Sequence, residues 1–247
     1  MGRLWIKICG IRDEEAARAA VAAGADALGF VFAPSPRRVD PDRARRIAAS
    51  VGAGRAGDGA PGSGSGRRVA AVGVFVNAPV DEMVAIARQV GLTHVQLHGD
   101  EPEETVVALQ AAGLVVIRAV AVPARDTPPA SSPVPGPALT TAADLVLVDT
   151  YVPGQRGGTG RPGDWAAAAA LARRRAVILA GGLTPGNVAR AVAAARPWGV
   201  DVSSGVERAR GVKDPGLIAR FVHAARQAEA AAGSGTRRAG AGGPAGR

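Results

Sequence analysis

The feature that most limits how this chain can fold is a repeat of pattern rather than of sequence. A short run of Val, Ile, Leu and Ala is followed by a capped, Ala-rich amphipathic segment, and the pair recurs along the 247 residues. Strand-like runs fall at Trp5–Cys9, Ala27–Phe32, Val69–Val76, His94–His98, Val115–Val122, Leu145–Asp149, Val177–Ala180 and Val200–Ser203. Helical segments follow Asp13, Asp40-Pro41, Pro79, Glu101, Asp164, Leu183 and Lys213. Gly24, Gly91 and Gly113 stop three of them, as left-handed glycines do. Pro185 and Pro215 sit where two of the later helices are expected to start, after Thr184 and Asp214 respectively. Eight strands alternating with seven helices predict a single (β/α)8 barrel, an α/β fold of the TIM type. A doubly wound sheet is the alternative, but it seldom needs eight strands so evenly spaced. The first strand–helix turn, Cys9-Gly10-Ile11-Arg12, also lacks a Gly-x-Gly-x-x-Gly fingerprint.

Two stretches interrupt the pattern. Residues 52–66 are almost wholly Gly, Ala, Ser and Arg and read as a flexible insertion. Where a fifth helix is due, residues 123–137 carry Pro128, Pro129, Pro133, Pro135 and Pro137, which forbid a regular helix. The expected organisation is one catalytic domain over residues 1–228 and a low-complexity, disordered tail over 229–247.

Composition narrows the function classes. Aromatics are 3% against 47% hydrophobic residues, so the core has to be aliphatic. A single cysteine excludes an intrachain disulfide and a Cys-based zinc cluster. No run approaches the ~18 apolar residues of a membrane span, and the N-terminus lacks a signal-peptide pattern, so a cytoplasmic protein without a membrane partner is expected. The net charge of +9 invites a polyanion partner. The basic residues are scattered, however, at Arg43, Arg45 and Arg46, at Arg67-Arg68, at Arg173–Arg175 and at Arg237-Arg238. None is interleaved with aromatics for base stacking, and no nucleic-acid partner is expected. The sequence is compatible with a monomer or a homodimer.

Active sites of such barrels lie at the C-terminal ends of the strands, and polar residues gather there in one parity. Lys7 and Cys9 share a strand face, as do Gln96 and His98, and Asp201 and Ser203, while Asp149 shares its face with Leu145 and Leu147. Taken alone, Cys9 reads as a small buried hydrophobe. Facing into a barrel mouth beside an ammonium, an imidazole and two carboxylates, it reads as part of a site. Gly157-Gly158-Thr159-Gly160, Gly181-Gly182 and Ser203-Ser204-Gly205 follow strands six, seven and eight. Glycines in the last two loops let backbone N–H groups approach an anion, and this is the usual phosphate position of the fold. A phosphorylated small molecule is the expected ligand.

Lys7-Ile8-Cys9-Gly10-Ile11 resembles the opening motif of the phosphoribosylanthranilate isomerase family of tryptophan biosynthesis. The likeness continues through Gly29-Phe30-Val31-Phe32, Ser35-Pro36-Arg37-Arg38, Gly73-Val74-Phe75-Val76-Asn77 and Val95-Gln96-Leu97-His98-Gly99. It extends to Gly157–Gly160, Gly181–Val188 and Val200–Glu207, in order and at matching intervals up to about Arg226. The resemblance implies an Amadori rearrangement of N-(5-phosphoribosyl)anthranilate to the 1-deoxyribulose 5-phosphate isomer, without cofactor or metal. It implies Cys9 as general base and Asp149 as general acid, Arg38 rather than Arg37 on the anthranilate carboxylate, and Asp201 on sugar hydroxyls. Lys7 is expected either to stabilise the Cys9 thiolate or to bind substrate. Gly158, Gly181, Gly182, Ser203, Ser204 and Gly205 are expected to hold the phosphate. Two alternatives are a bifunctional isomerase that also serves histidine synthesis and a basic barrel that binds a phosphorylated ligand without catalysis. The first would pair two aspartates at the ends of strands one and five, and strand five has no carboxylate.

Overall fold

The computed structural model describes residues 3–54, 68–123, 136–151 and 165–238. Each strand–helix unit is punctuated by the residues that the sequence supplies for it. The first strand, β1 (Trp5–Cys9), leads to α1 (Glu14–Ala23), where the Asp13 carboxylate accepts from Ala16 N at 2.8 Å. Gly24 ends α1 at φ 93°, a left-handed conformation that costs glycine nothing. After β2 (Ala27–Val31), α2 (Pro41–Ser50) opens on Pro41 with Asp40 accepting from Arg43 N at 2.9 Å. The pattern continues through β3 (Ala70–Phe75), α3 (Val80–Val90), β4 (His94–Leu97), α4 (Glu103–Ala111) and β5 (Val115–Pro123). It runs on through α5 (Gly136–Thr140), β6 (Leu145–Tyr151), α6 (Trp165–Ala172), β7 (Val177–Leu179), α7 (Val188–Ala195) and β8 (Gly199–Val202).

The eight strands pair in parallel in sequence order, and β8 closes on β1. The chain is a (β/α)8 barrel. Register puts Lys7 beside Asp201 of β8, and Cys9 beside Gly29 of β2. Alternate residues along each strand then part into two apolar layers. Ala27, Val72, Ile117, Leu147 and Ile178 fill the barrel interior. Ile6, Ile8, Leu28, Val95, Val146, Val148 and Val200 face outward against helix residues such as Ala17, Ile47, Met83, Leu109 and Phe221. Burying these side chains contributes roughly 25 cal/mol per Å², spread over a core with little aromatic surface.

The structure departs from the sequence reading in four places. The helix expected from Thr184 starts at Val188, because Asn187 is spent on the loop before it: its Oδ1 accepts from Thr184 N and its Nδ2 donates to Gly182 O, both at 2.8 Å. A five-residue α5 stands at the end of the stretch read as purely irregular. The last helix, α8 (Pro215–Arg238), runs ten residues past the boundary set at 228. Glu229, assigned to the tail, accepts from Leu4 N at 2.7 Å and pairs with Arg226. Between β8 and α8 lies an antiparallel ribbon, β9 (Glu207–Ala209) and β10 (Val212–Lys213), turning at Gly211 with φ 80°.

The edges of the Gly-rich insertion are held where Gly54 N donates to Val69 O at 2.9 Å. The rest of it (55–66) with Arg67, most of the Pro-rich stretch (124–135), Gly157–Gly160 with Gly158, the Asp164 cap and residues 239–247 lie outside the described residues. Among the described residues no helix is long and apolar enough to cross a membrane.

Candidate active site

At the C-terminal mouth of the barrel is a cavity of about 350 Å³. Cys9 from β1, Gln96 from β4 and His98 just past its end, Asp149 from β6 and Asp201 from β8 line it together, as strand parity required. Gly181, Gly182, Ser203 and Ser204 form its wall on the β7–β8 side. The two glycines there take φ of 79° and 62°, so their backbone can turn its N–H groups in a way few other residues allow. Gly205 does not line the cavity. A Cβ at that position would run into the Leu183 carbonyl, so this glycine lets the β8 loop lie tight against the β7 loop.

Lys7 is wholly buried beneath the floor of the cavity and does not line it. Its ammonium donates to Asp201 Oδ1 and, across the barrel, to Gln96 Oε1, each at 3.0 Å. A buried lysine would ordinarily lose its proton. Burial does pull this one down, but Asp201 and Cys9 outweigh it, and the net shift is upward. Lys7 is therefore a fixed cation under the site rather than a ligand-binding arm.

Burial also acts on the thiol of Cys9 and pushes it up. Lys7 pulls it down, Asp201 pushes it up again and Lys213 pulls it down, and the net result lies above the ordinary thiol range. So Lys7 favours the thiolate but does not overcome desolvation. Gly29 makes room for this arrangement, since a Cβ there would stand 2.9 Å from Cys9 Sγ and 3.0 Å from Lys7 Cε.

Arg37 and Arg38 part company. Arg37 reaches the cavity wall but is committed: its Nε and a terminal nitrogen hold both oxygens of Glu207 at 2.7 and 3.0 Å. Arg38 is exposed and does not line the cavity, and its guanidinium has no partner among the described residues. Glu207 also takes Lys213 Nζ at 2.9 Å and Gly211 N at 3.1 Å. Burial raises the carboxyl of Glu207, but Arg37, Lys213 and the Gly211 amide prevail and bring it to about 2. Lys213 in turn donates to Ser203 O at 2.9 Å, which ties the ribbon to the loop after β8. Burial sets the direction for Lys213 and lowers it against the pull of Glu207. Sequence reading missed this Arg37–Glu207–Lys213 cluster. The alternation of Glu207, Ala209 and Val212 about Arg210-Gly211 was the available signal for the ribbon.

The sequence profile of N-(5'-phosphoribosyl)anthranilate isomerase matches residues 6–224. The chain belongs to that family. A phosphoribosylanthranilate isomerase of Roseiflexus castenholzii is 48% identical over 212 residues, covering 85% of this chain and 92% of its own length. The solved phosphoribosylanthranilate isomerase of Thermus thermophilus superposes with a TM-score of 0.74 at 34% identity, over 91% of this chain and 99% of that one. Another solved phosphoribosylanthranilate isomerase is a complex with reduced 1-(o-carboxyphenylamino)-1-deoxyribulose 5-phosphate. It superposes with a TM-score of 0.70 at 36% identity, over 91% of this chain and all of that one. Cys9 on β1 and Asp149 on β6 both line the cavity. Strand β5, Val-Val-Ile-Arg-Ala-Val-Ala-Val-Pro, offers no carboxylate.

Proposed function

We propose that this chain isomerises N-(5'-phosphoribosyl)anthranilate to 1-(2-carboxyphenylamino)-1-deoxyribulose 5-phosphate, with Asp149 as general acid and Cys9 as general base. The observation that carries the reading is the one cavity lined by a thiol, a carboxyl and the glycine loops after β7 and β8. Asp149 gives its proton to the furanose ring oxygen as the C1–O bond breaks and the lone pair of the anthranilate nitrogen forms the C1=N bond of a protonated Schiff base. Cys9, as thiolate, removes the proton from C2 of the sugar, and the electron pair moves toward the iminium nitrogen. The resulting enolamine tautomerises, its C2 hydroxyl proton being replaced by one at C1, and the ketone forms. Asp149 has lost one proton and Cys9 has gained one, so a single transfer between them or through solvent resets the site.

The phosphate is held by backbone N–H groups of the Gly181-Gly182 and Ser203-Ser204 loops, with the positive charge of Lys213 behind Ser203. Of the two arginines of the β2–α2 loop only Arg37, its guanidinium held by Glu207, lines the cavity, so Arg37 is placed to meet the anthranilate carboxylate, whereas Arg38, expected there from the resemblance, is exposed and outside it. Asp201, fixed through one oxygen by Lys7, faces the sugar hydroxyls from the cavity wall. The test is complementation. The gene should restore growth without tryptophan to a strain lacking only this isomerase, and should not rescue a strain lacking the histidine-pathway isomerase. Failure in the first strain with the protein expressed and folded contradicts the reading.

A further inference from the structure

Four polar side chains run in a line from the buried floor of the barrel to the general acid, and their donor and acceptor capacities fix the direction of every link. Lys7 Nζ can only donate, so the atom of Gln96 that faces it at 3.0 Å is the carbonyl Oε1. The amide Nε2 of Gln96 is thereby turned the other way, 2.9 Å from His98 Nδ1. An amide nitrogen is also only a donor, so in the neutral ring Nδ1 accepts and the proton sits on Nε2. Nε2 faces Asp149 Oδ2 at 3.5 Å, a long contact that aims the ring N–H at the carboxyl. Lys7 itself is held by Asp201 in the neighbouring strand, and Gln96 is buried, so the first half of the line is rigid.

We propose that His98 is a positioning residue for Asp149, and that Gln96, oriented by Lys7, sets the ring tautomer that this requires. The proposal rests on the reading of Asp149 as general acid. An N–H directed at Oδ2 makes that atom the carbonyl oxygen of the protonated acid and places the acidic proton on Oδ1. When the proton leaves for the ring oxygen of the substrate, the charge that develops on the carboxylate is met by a donor already in place. The opposite tautomer would present a lone pair to Oδ2 and oppose both effects.

Gln96→Glu tests this, because a carboxylate accepts from Lys7 as before but also accepts from His98, and so draws the ring proton to Nδ1. Long-range nitrogen–proton NMR of the imidazole reads which nitrogen carries the proton. The wild type should show the Nε2–H form and Gln96→Glu the loss of it, with kcat lowered roughly ten- to a hundredfold and KM little changed. That loss is part of the ~10²–10⁴ that acid–base catalysis contributes as a whole. A second pair of variants guards against a folding defect: His98→Gln, whose amide can offer an N–H toward Asp149, should retain more kcat than His98→Ala. An Nδ1–H ring in the wild type, or a tautomer switch that leaves kcat intact, overturns the proposal, as does equal kcat in the two His98 variants. Full activity in Asp149→Asn would remove the acid reading and the proposal with it. An inactive Asp149→Asn beside an undiminished Gln96→Glu would remove the proposal alone.

Discussion

In the proposed reaction Cys9 acts as a base from a position where burial holds on to its proton. The chain answers this with charge below the site rather than with a partner base: Lys7 and Lys213 both favour the thiolate, and Asp201 opposes them. Because the base form is the deprotonated one and the thiol lies above its ordinary range, reactivity of Cys9 should rise with pH across the neutral and alkaline region. Lys7→Met removes the nearest cation, so the pH profile of Cys9 alkylation by iodoacetamide should move further up. An unchanged profile would show that Lys7 does not act on the thiol. The roles of Lys7 were only half legible in the sequence. Its parity with Cys9 could be read from the strand. That it lies beneath the cavity, held by Gln96 from the opposite side of the barrel, depends on closure of the sheet, which no local pattern encodes.

Among the elements, the β9–β10 ribbon does most to shape the mouth beyond the strands themselves. It carries Glu207 and Lys213, and through Arg37 it fastens the β2–α2 loop to the loop after β8. The carboxyl of Glu207 is depressed from an ordinary 4.5 to about 2, so its contribution to stability is present above 4.5 and is lost as pH falls toward 2. Glu207→Gln should lower stability near neutrality by about 3 kcal/mol, because it leaves half-buried Arg37 and buried Lys213 without their counter-charge. Its stability should also fall less steeply over that acid range than the wild type's, as urea unfolding at a series of pH values would show. Parallel acid limbs in the two proteins would contradict this. Elements with their own start and stop residues, such as α1 between Asp13 and Gly24, were readable in advance. Those set by long-range partners were not: Asn187 closes a loop where a helix start was expected, and α8 outlasts its apolar stripe partly because Glu229 holds Leu4.

For the whole molecule, even alternation of strand and helix determined the barrel, and strand parity determined which polar side chains meet at its mouth. Cys9, Gln96, His98, Asp149 and Asp201 could therefore be gathered on paper, and they do line one cavity. What parity cannot supply is which of two adjacent arginines is already bound, because the answer lies with Glu207, some 170 residues along the chain. The central claim is that one fold places a proton donor and a proton acceptor on opposite strands around a phosphorylated sugar. Steady-state turnover of N-(5'-phosphoribosyl)anthranilate by the purified chain, by Cys9→Ala and by Asp149→Asn tests it most directly. The account predicts a competent wild type and a fall in kcat of about 10²–10⁴-fold in each variant, with KM moved only modestly. Turnover at the wild-type rate in either variant would contradict it.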